Sequence, residues 1–572
     1  MFAPAISKVR EFLSSWKNLL ALGTLPLLGA WIYSRVWMVN PAILGDEYLY
    51  SMNARKVGPW DPPVAGDFSN YLFNFVYQGT NLCGDDFYAC GKIFNIVFFL
   101  GFIFTVFILA LRFLPFWGAY VFMIAAALSP LSVYTSMFLP ESMYFFFIGL
   151  VLVALLRAMN SFTWRNWALV GAAIGVASLV KPHAWLSAVA VGIVLLVSGL
   201  SNRQVSLHRT VSGGVSLVAG AVSGRVAIGL AVAGPKSLGF FGQYFGIGTV
   251  QDIVGTAGET SSGTAGARSA QVQGVLDLFQ DQILIHTYSV AALMGLSVMG
   301  LLMGLVHLMQ RREPSPDTDL VLAASIWLGV LMAQIAIFTG WITGGGDDHS
   351  SRVLLRYYDF LFVIVPLAAA SFFFRQETKV PVLARWTGAA LLFVVIGPGF
   401  TGFFGGLTVQ IADAPVLAGL IVDRFVYDSV ALTAVLGILV FASFPKLAKY
   451  AFIGSLPFSL VLTGWQTQDQ YQIARATPNA ADIVGKELAR EFDDESLSNT
   501  WILGTSRFEV TNAALWADNP RLAYLPVAPG SDVSSSLAPE GTEIIVTIGE
   551  VQVNGDLTLE MSGDSYQVYR VN

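Results

Sequence analysis

Long apolar runs recur along most of the chain, and they constrain its fold more than any motif does. A helix needs about 20 apolar residues to cross the hydrocarbon core of a bilayer, and about thirteen such segments are present. They lie at 19–38, 93–111, 116–137, 142–157, 166–180, 183–200, 211–233, 287–309, 319–342, 358–374, 386–404, 428–445 and 450–465. Of the 572 residues, 12% are charged and 55% hydrophobic, against about 25% charged in a soluble domain. A soluble globule and a disordered chain are both excluded. The fold class is a polytopic α-helical membrane protein with a small α/β domain at its C-terminal end.

Alternating the spans sorts the loops. Lys8, Arg10, Lys17, Arg112, Arg157, Arg165, Arg203, Arg209, Arg311, Arg312, Arg375, Lys379, Arg385, Lys446 and Lys449 all fall on one side, in short connections. By the positive-inside rule that side is cytoplasmic, so the N-terminus is inside. The first span reads as an anchor, its apolar stretch being too long for a cleavable signal. The other side holds two long loops, 39–92 and 234–286, and the tail 466–572. Cys83 and Cys90 both lie in the first outer loop, with six residues between them. A small disulfide loop in an oxidising compartment is favoured over two unpaired thiols.

The tail reads differently from the membrane region 1–465. Short apolar runs at Trp501–Gly504, Leu522–Leu525, Glu543–Ile548 and Tyr566–Val571 have the length of strands. Helical stretches at Ala480–Phe492 and Glu509–Trp516 separate them. This is the expected α/β domain, without cysteine, histidine or a phosphate loop, read as a docking or substrate-shaping module. Net charge is −6, which argues against a nucleic-acid partner. Two cysteines are too few for a thiol-only zinc or iron–sulfur site.

In so apolar a chain, charges near the membrane are the informative residues. Those of the outer side form four groups. Asp46 and Glu47 follow the first span, after the helix breakers Pro41 and Gly45. One carboxylate of such a pair can act as a base while the other orients a substrate, or both can hold a metal. Alternatively the pair is a solvated helix cap. Glu141 follows Pro140 in a very short turn. Lys181 precedes Pro182 and His183, and is either a snorkelling lysine or a fixed cation for an anionic headgroup. The stretch WITGGGDDHSSRVLLRYYDF supplies Asp347, Asp348, His349, Arg352, Arg356, Tyr357 and Asp359. Its arginines are four apart and suited to grip phosphate. Asp347, Asp348 and His349 are metal-ligand types, though adjacent ligands are geometrically awkward. Arg225 lies inside a span and requires a partner, either a phosphate or an acidic side chain of another helix.

The order of these features resembles the GT-C superfamily of integral-membrane glycosyltransferases. That superfamily includes protein O-mannosyltransferases, aminoarabinose–lipid A transferases and arabinofuranosyltransferases. The acidic pair follows the first span directly. FSNYLFNFVYQG is similar to an interfacial helix of the first loop, and GKIFNIVFFLGFIFTVFIL to the usual second span, with Lys92 where Arg is common. SPLSVYTSMFLPES, GAAIGVASLVKPHAW and RVLLRYYDFLFVIVP resemble three later elements. The resemblance implies a sugar donor on a polyprenyl phosphate, a glycan, lipid or protein acceptor, and a bacterial plasma membrane with the active face outside. Asp46 would be the general base. Glu47 and Glu141 would orient the acceptor or bind a divalent cation, Mg or Mn, which some members use. Lys181, Arg352, Arg356 and Tyr357 would hold the donor phosphate, and Phe241 and Tyr244 would line a loop closing on the donor. The alternatives are a transporter or flippase of lipid-linked saccharides, and a polymerase or ligase using a lipid-diphosphate donor.

Overall fold

The structure, a computed structural model, describes residues 15–42, 45–58, 60–61, 69–201, 205–239, 265–311, 316–343, 353–375, 380–400 and 409–572. Each apolar segment read from the sequence lies on a helix, and the chain is an integral membrane protein. Among the described residues, ten helices are long and apolar enough to cross a membrane. An eleventh span forms if Phe116–Ala127 and Pro130–Ser136, bent by 49°, count as one. Two further helices, Trp164–Ser178 and Leu361–Arg375, have 15 residues each. At 1.5 Å per residue they fall short of a hydrocarbon core about 30 Å thick.

Glycine sets the closest helix crossing. Gly171 and Gly175 of Trp164–Ser178 face Gly220 and Gly224 of Leu207–Ala233. A Cβ on Gly220 would lie 2.1 Å from the Ala168 carbonyl oxygen, and one on Gly175 2.1 Å from that of Ala221. Only hydrogen fits there, as in small-xxx-small contacts between membrane helices. The crossing brings Arg225 onto Ser178. Its Nη1 donates to the Ser178 carbonyl at 3.1 Å and hydroxyl at 2.9 Å, and its Nη2 to the Gly239 carbonyl at 2.6 Å. These partners are serine and backbone oxygens, where the sequence suggested a phosphate or a carboxylate.

The first membrane helix, Trp16–Val36, ends on Lys92. The Lys92 ammonium donates to the carbonyls of Val36, Trp37 and Val39 at 2.7–3.1 Å. A cation there complements the helix's negative end and satisfies acceptors that the helix leaves over.

The last membrane helix, Ala448–Arg475, runs on past residue 466 and leads into the C-terminal domain. There a five-stranded sheet has the order β2-β1-β4-β7-β6. Strand β1 (Thr500–Gly504) lies parallel to β2 (Ala523–Pro526) and β4 (Ile544–Ile548). Strand β7 (Tyr566–Val571) is antiparallel to β4 and to β6 (Leu557–Gly563). Strands β3 (Ser531–Ser534) and β5 (Val551–Asn554) form a separate parallel pair. Helices Ala480–Glu491 and Arg507–Ala517 each start in a capping box, Asn479 with Asp482 and Ser506 with Glu509. The strands expected from the apolar runs are β1, β2, β4 and β7. Strands β3, β5 and β6 are largely exposed, so they carry little apolar signal.

Gly220→Leu should force the two helices apart. The yield of monodisperse protein on size-exclusion chromatography should collapse, whereas Gly214→Leu, at a position with open space, should leave it unchanged.

Candidate active site

Asp46 opens a ten-residue helix, Asp46–Arg55, after Gly45 at φ 80°. That left-handed turn suits glycine. The Asp46 side chain is partly exposed and accepts a hydrogen bond from Arg356 Nη2 at 2.9 Å. Arg356 stands in the short helical turn Leu355–Tyr357. Its backbone N–H donates to the Asp413 carbonyl at 2.7 Å, and its Nε lies 3.7 Å from the buried Asp413 carboxylate. Asp413 was not anticipated, although it is a charge between apolar spans like those that were.

Glu47 points elsewhere. Successive helical residues diverge by about 100°, and Glu47 is buried inside the bundle. Its Oε1 accepts from the Tyr88 hydroxyl at 2.6 Å and the Phe138 N–H at 2.7 Å, and its Oε2 from the Ala42 N–H at 2.8 Å. It ties the start of the helix to the Phe87–Ala110 helix and to the turn before Glu141.

Glu141 and Lys181 form a second pair, both side chains under 5% exposed, with Lys181 Nζ on Glu141 Oε1 at 2.8 Å. Burial pulls the lysine below its usual pKa range, and the Glu141 carboxylate opposes that pull. Glu141 Oε2 is buried with no hydrogen-bond partner among the described residues. The Tyr357 ring joins the two pairs. Lys181 Nζ sits 5.0 Å from its centre, the Arg356 guanidinium 5.4 Å, and His183 packs on it at 4.4 Å. Nearby, the Tyr134 hydroxyl donates to buried Asp359 at 2.6 Å.

Asp46, Glu141, Lys181, Arg356 and Tyr357 thus converge, while Glu47 braces the helix from within. Cys83 and Cys90 are joined by a disulfide. Arg352, Asp347, Asp348, His349, Phe241 and Tyr244 lie outside the described residues. Among the described residues, no group of three or more His, Cys, Asp or Glu side chains could hold a metal ion. Both carboxylate oxygens of Glu47 accept hydrogen bonds from the surrounding chain.

Residues 73–223, about a quarter of the chain, match the family model described as dolichyl-phosphate-mannose-protein mannosyltransferase. The matched segment includes Glu141 and Lys181 but not Asp46 or Arg356. None of the curated proteins compared matches the chain. Among solved structures, ArnT from Cupriavidus metallidurans bound to undecaprenyl phosphate aligns over 97% of this chain and 98% of its own, at 13% identity and TM-score 0.48. The archaeal oligosaccharyltransferase AglB from Archaeoglobus fulgidus, in complex with an inhibitory peptide and a dolichol-phosphate, aligns over 94% and 70%, at 11% identity and TM-score 0.42. The arabinosyltransferase EmbB from Mycobacterium smegmatis aligns over 94% and 45%, at 12% identity and TM-score 0.41.

The two adjacent carboxylates should respond differently to neutralisation. Glu47→Gln turns one acceptor into a donor facing donors and should cost about 1.5–3 kcal/mol. Asp46→Asn loses one partly exposed pair and should cost no more than about 1 kcal/mol. Thermal unfolding of the solubilised variants separates the two.

Proposed function

We propose that the chain is a glycosyltransferase that moves a sugar from a polyprenyl-phosphate donor to a glycan, lipid or protein acceptor of the cell envelope. The observation that carries this reading is the meeting of a partly exposed carboxylate, Asp46, with Arg356 beside the buried Lys181–Glu141 pair. Group transfer from a lipid phosphate needs a base for the incoming hydroxyl and cations for the outgoing phosphate, side by side. The family-model match over 73–223 supports the donor class.

Asp46 takes the proton of the acceptor hydroxyl as its oxygen attacks the anomeric carbon. The new C–O bond forms on the face opposite the breaking bond to phosphate, so the configuration inverts. The transition state is oxocarbenium-like, as in other glycosyl transfers. The lipid phosphate leaves with the bonding electrons, and Arg356 and Lys181 offset its charge. Arg356 can do so while holding Asp46, because a guanidinium has five N–H donors and the Asp46 bond uses one. Glu141 keeps Lys181 in place, and its unpartnered Oε2 can accept from a substrate hydroxyl. The site faces the outside of a bacterial plasma membrane in this reading, with the N-terminus cytoplasmic.

The test uses the reconstituted protein and a panel of polyprenyl-phosphate-linked sugars, with release of polyprenyl phosphate as the readout. Asp46→Asn should lower release at least about 1,000-fold, a scale within reach of general-base and electrostatic losses, and should still bind polyprenyl phosphate. Near-normal release by that variant would remove Asp46 as the base.

A further inference from the structure

The Asp46 helix is gripped at both ends by different parts of the molecule. At its start, Arg356 of the membrane region holds Asp46. At its end, Arg55 meets Asp518, the residue that closes the helix Arg507–Ala517 of the C-terminal domain. Arg55 Nη1 and Nη2 reach the two Asp518 oxygens at 2.5 and 3.1 Å, and Lys56 Nζ reaches Oδ2 at 2.9 Å. The Arg55 side chain is 4% exposed, with its guanidinium 3.6 Å above the Phe87 ring. A paired, forked contact of this kind fixes direction as well as distance. Asp518 itself has φ 54°, a left-handed cap position that Asp tolerates.

Between these ends, the C-terminal domain covers the helix. Tyr48 packs edge-on against Tyr524 at 5.7 Å, and Trp516 stands 5.5 Å from Tyr88. Thr511 and Arg507 lie over Gly45, within 4 Å of where a Cβ would be. The loop leading to the helix is held from the same side. Arg475 Nε donates to the Pro41 carbonyl at 2.6 Å, and Nη2 binds both oxygens of buried Asp482. Asp482 also accepts from Asn512 and Trp516, at 2.8 Å each.

We infer that Asp518 is a positioning residue for Asp46: from the C-terminal domain it fixes the far end of the helix on which Asp46 stands. The domain then serves the reaction by setting the base, apart from any docking of the acceptor. This rests on the proposed role of Asp46.

Hydrogen–deuterium exchange on the full chain in nanodiscs tests the mechanical part. Asp518→Ala should speed exchange about tenfold or more across the Asp46–Arg55 helix, and Arg55→Met, which keeps a long apolar stem over Phe87, should do the same. The double variant should be no worse than either single one, and the swapped pair Arg55→Asp with Asp518→Arg should recover most of the protection. Faster exchange confined to the C-terminal domain, or additive effects, would overturn the inference. With polyprenyl-phosphate-linked mannose as donor probe, kcat should fall about 10–100-fold, the scale of an ångström-size misplacement, with KM kept. A raised KM at full kcat would make the contact part of substrate docking instead. If Asp46→Asn remains active, the proposed function fails while the exchange result stands, so the two failures are distinguishable.

Discussion

The ion pair between Asp46 and Arg356 joins residues 310 positions apart in sequence, and the rest of the site is arranged around it. Charges near hydrocarbon are costly unless paired, so each one constrains its neighbours. Asp413 holds Arg356 by backbone and side chain. Arg356 lies against Tyr357, and Tyr357 lies against Lys181, which is paired to Glu141. A partly exposed carboxylate therefore sits at the edge of a buried, charge-balanced cluster. In the proposed reaction, that place lets the base keep access to solvent and substrate while its cation stays fixed.

The scaffold explains how such distant residues come together. The glycine crossing seats the helix before Lys181 against the helix bearing Arg225, whose guanidinium caps Ser178 three residues upstream of Lys181. Lys92 ends the first membrane helix and sets the departure of the chain toward Asp46. Glu47 then pins the helix start to the bundle with three accepted hydrogen bonds. Arg225, Lys92 and Glu47 are polar groups satisfied wholly or partly by backbone, which suits an environment without water to compete.

Much of this was legible in the sequence, for physical reasons that differ by element. The membrane helices were readable because the bilayer demands continuous apolar length. Strands β1 and β4 were readable because every residue in them is buried, whereas β6, mostly exposed, showed no pattern. The site charges stood out by rarity, but their pairing did not, since no local rule links Asp46 to Arg356 or Lys181 to Glu141. Glu47 was expected to work beside Asp46, and helix geometry instead turns it inward. Asp413 and Asp518 were passed over: Asp413 carries the same signal as Glu141, and Asp518 resembles any polar residue ending a helix before a proline-containing turn. Arg225 was expected to have a partner, and its described partners are serine and backbone oxygens.

The central claim is that the cluster around Arg356 and Lys181 receives a lipid monophosphate as the leaving group. Native mass spectrometry of the purified protein, with fragmentation of co-purified lipids, tests it most directly. The account predicts a polyprenyl monophosphate, bare or bearing one sugar, that is lost from a double variant of Arg356→Ala and Lys181→Met. A polyprenyl diphosphate in its place, or bulk phospholipid alone, would contradict it.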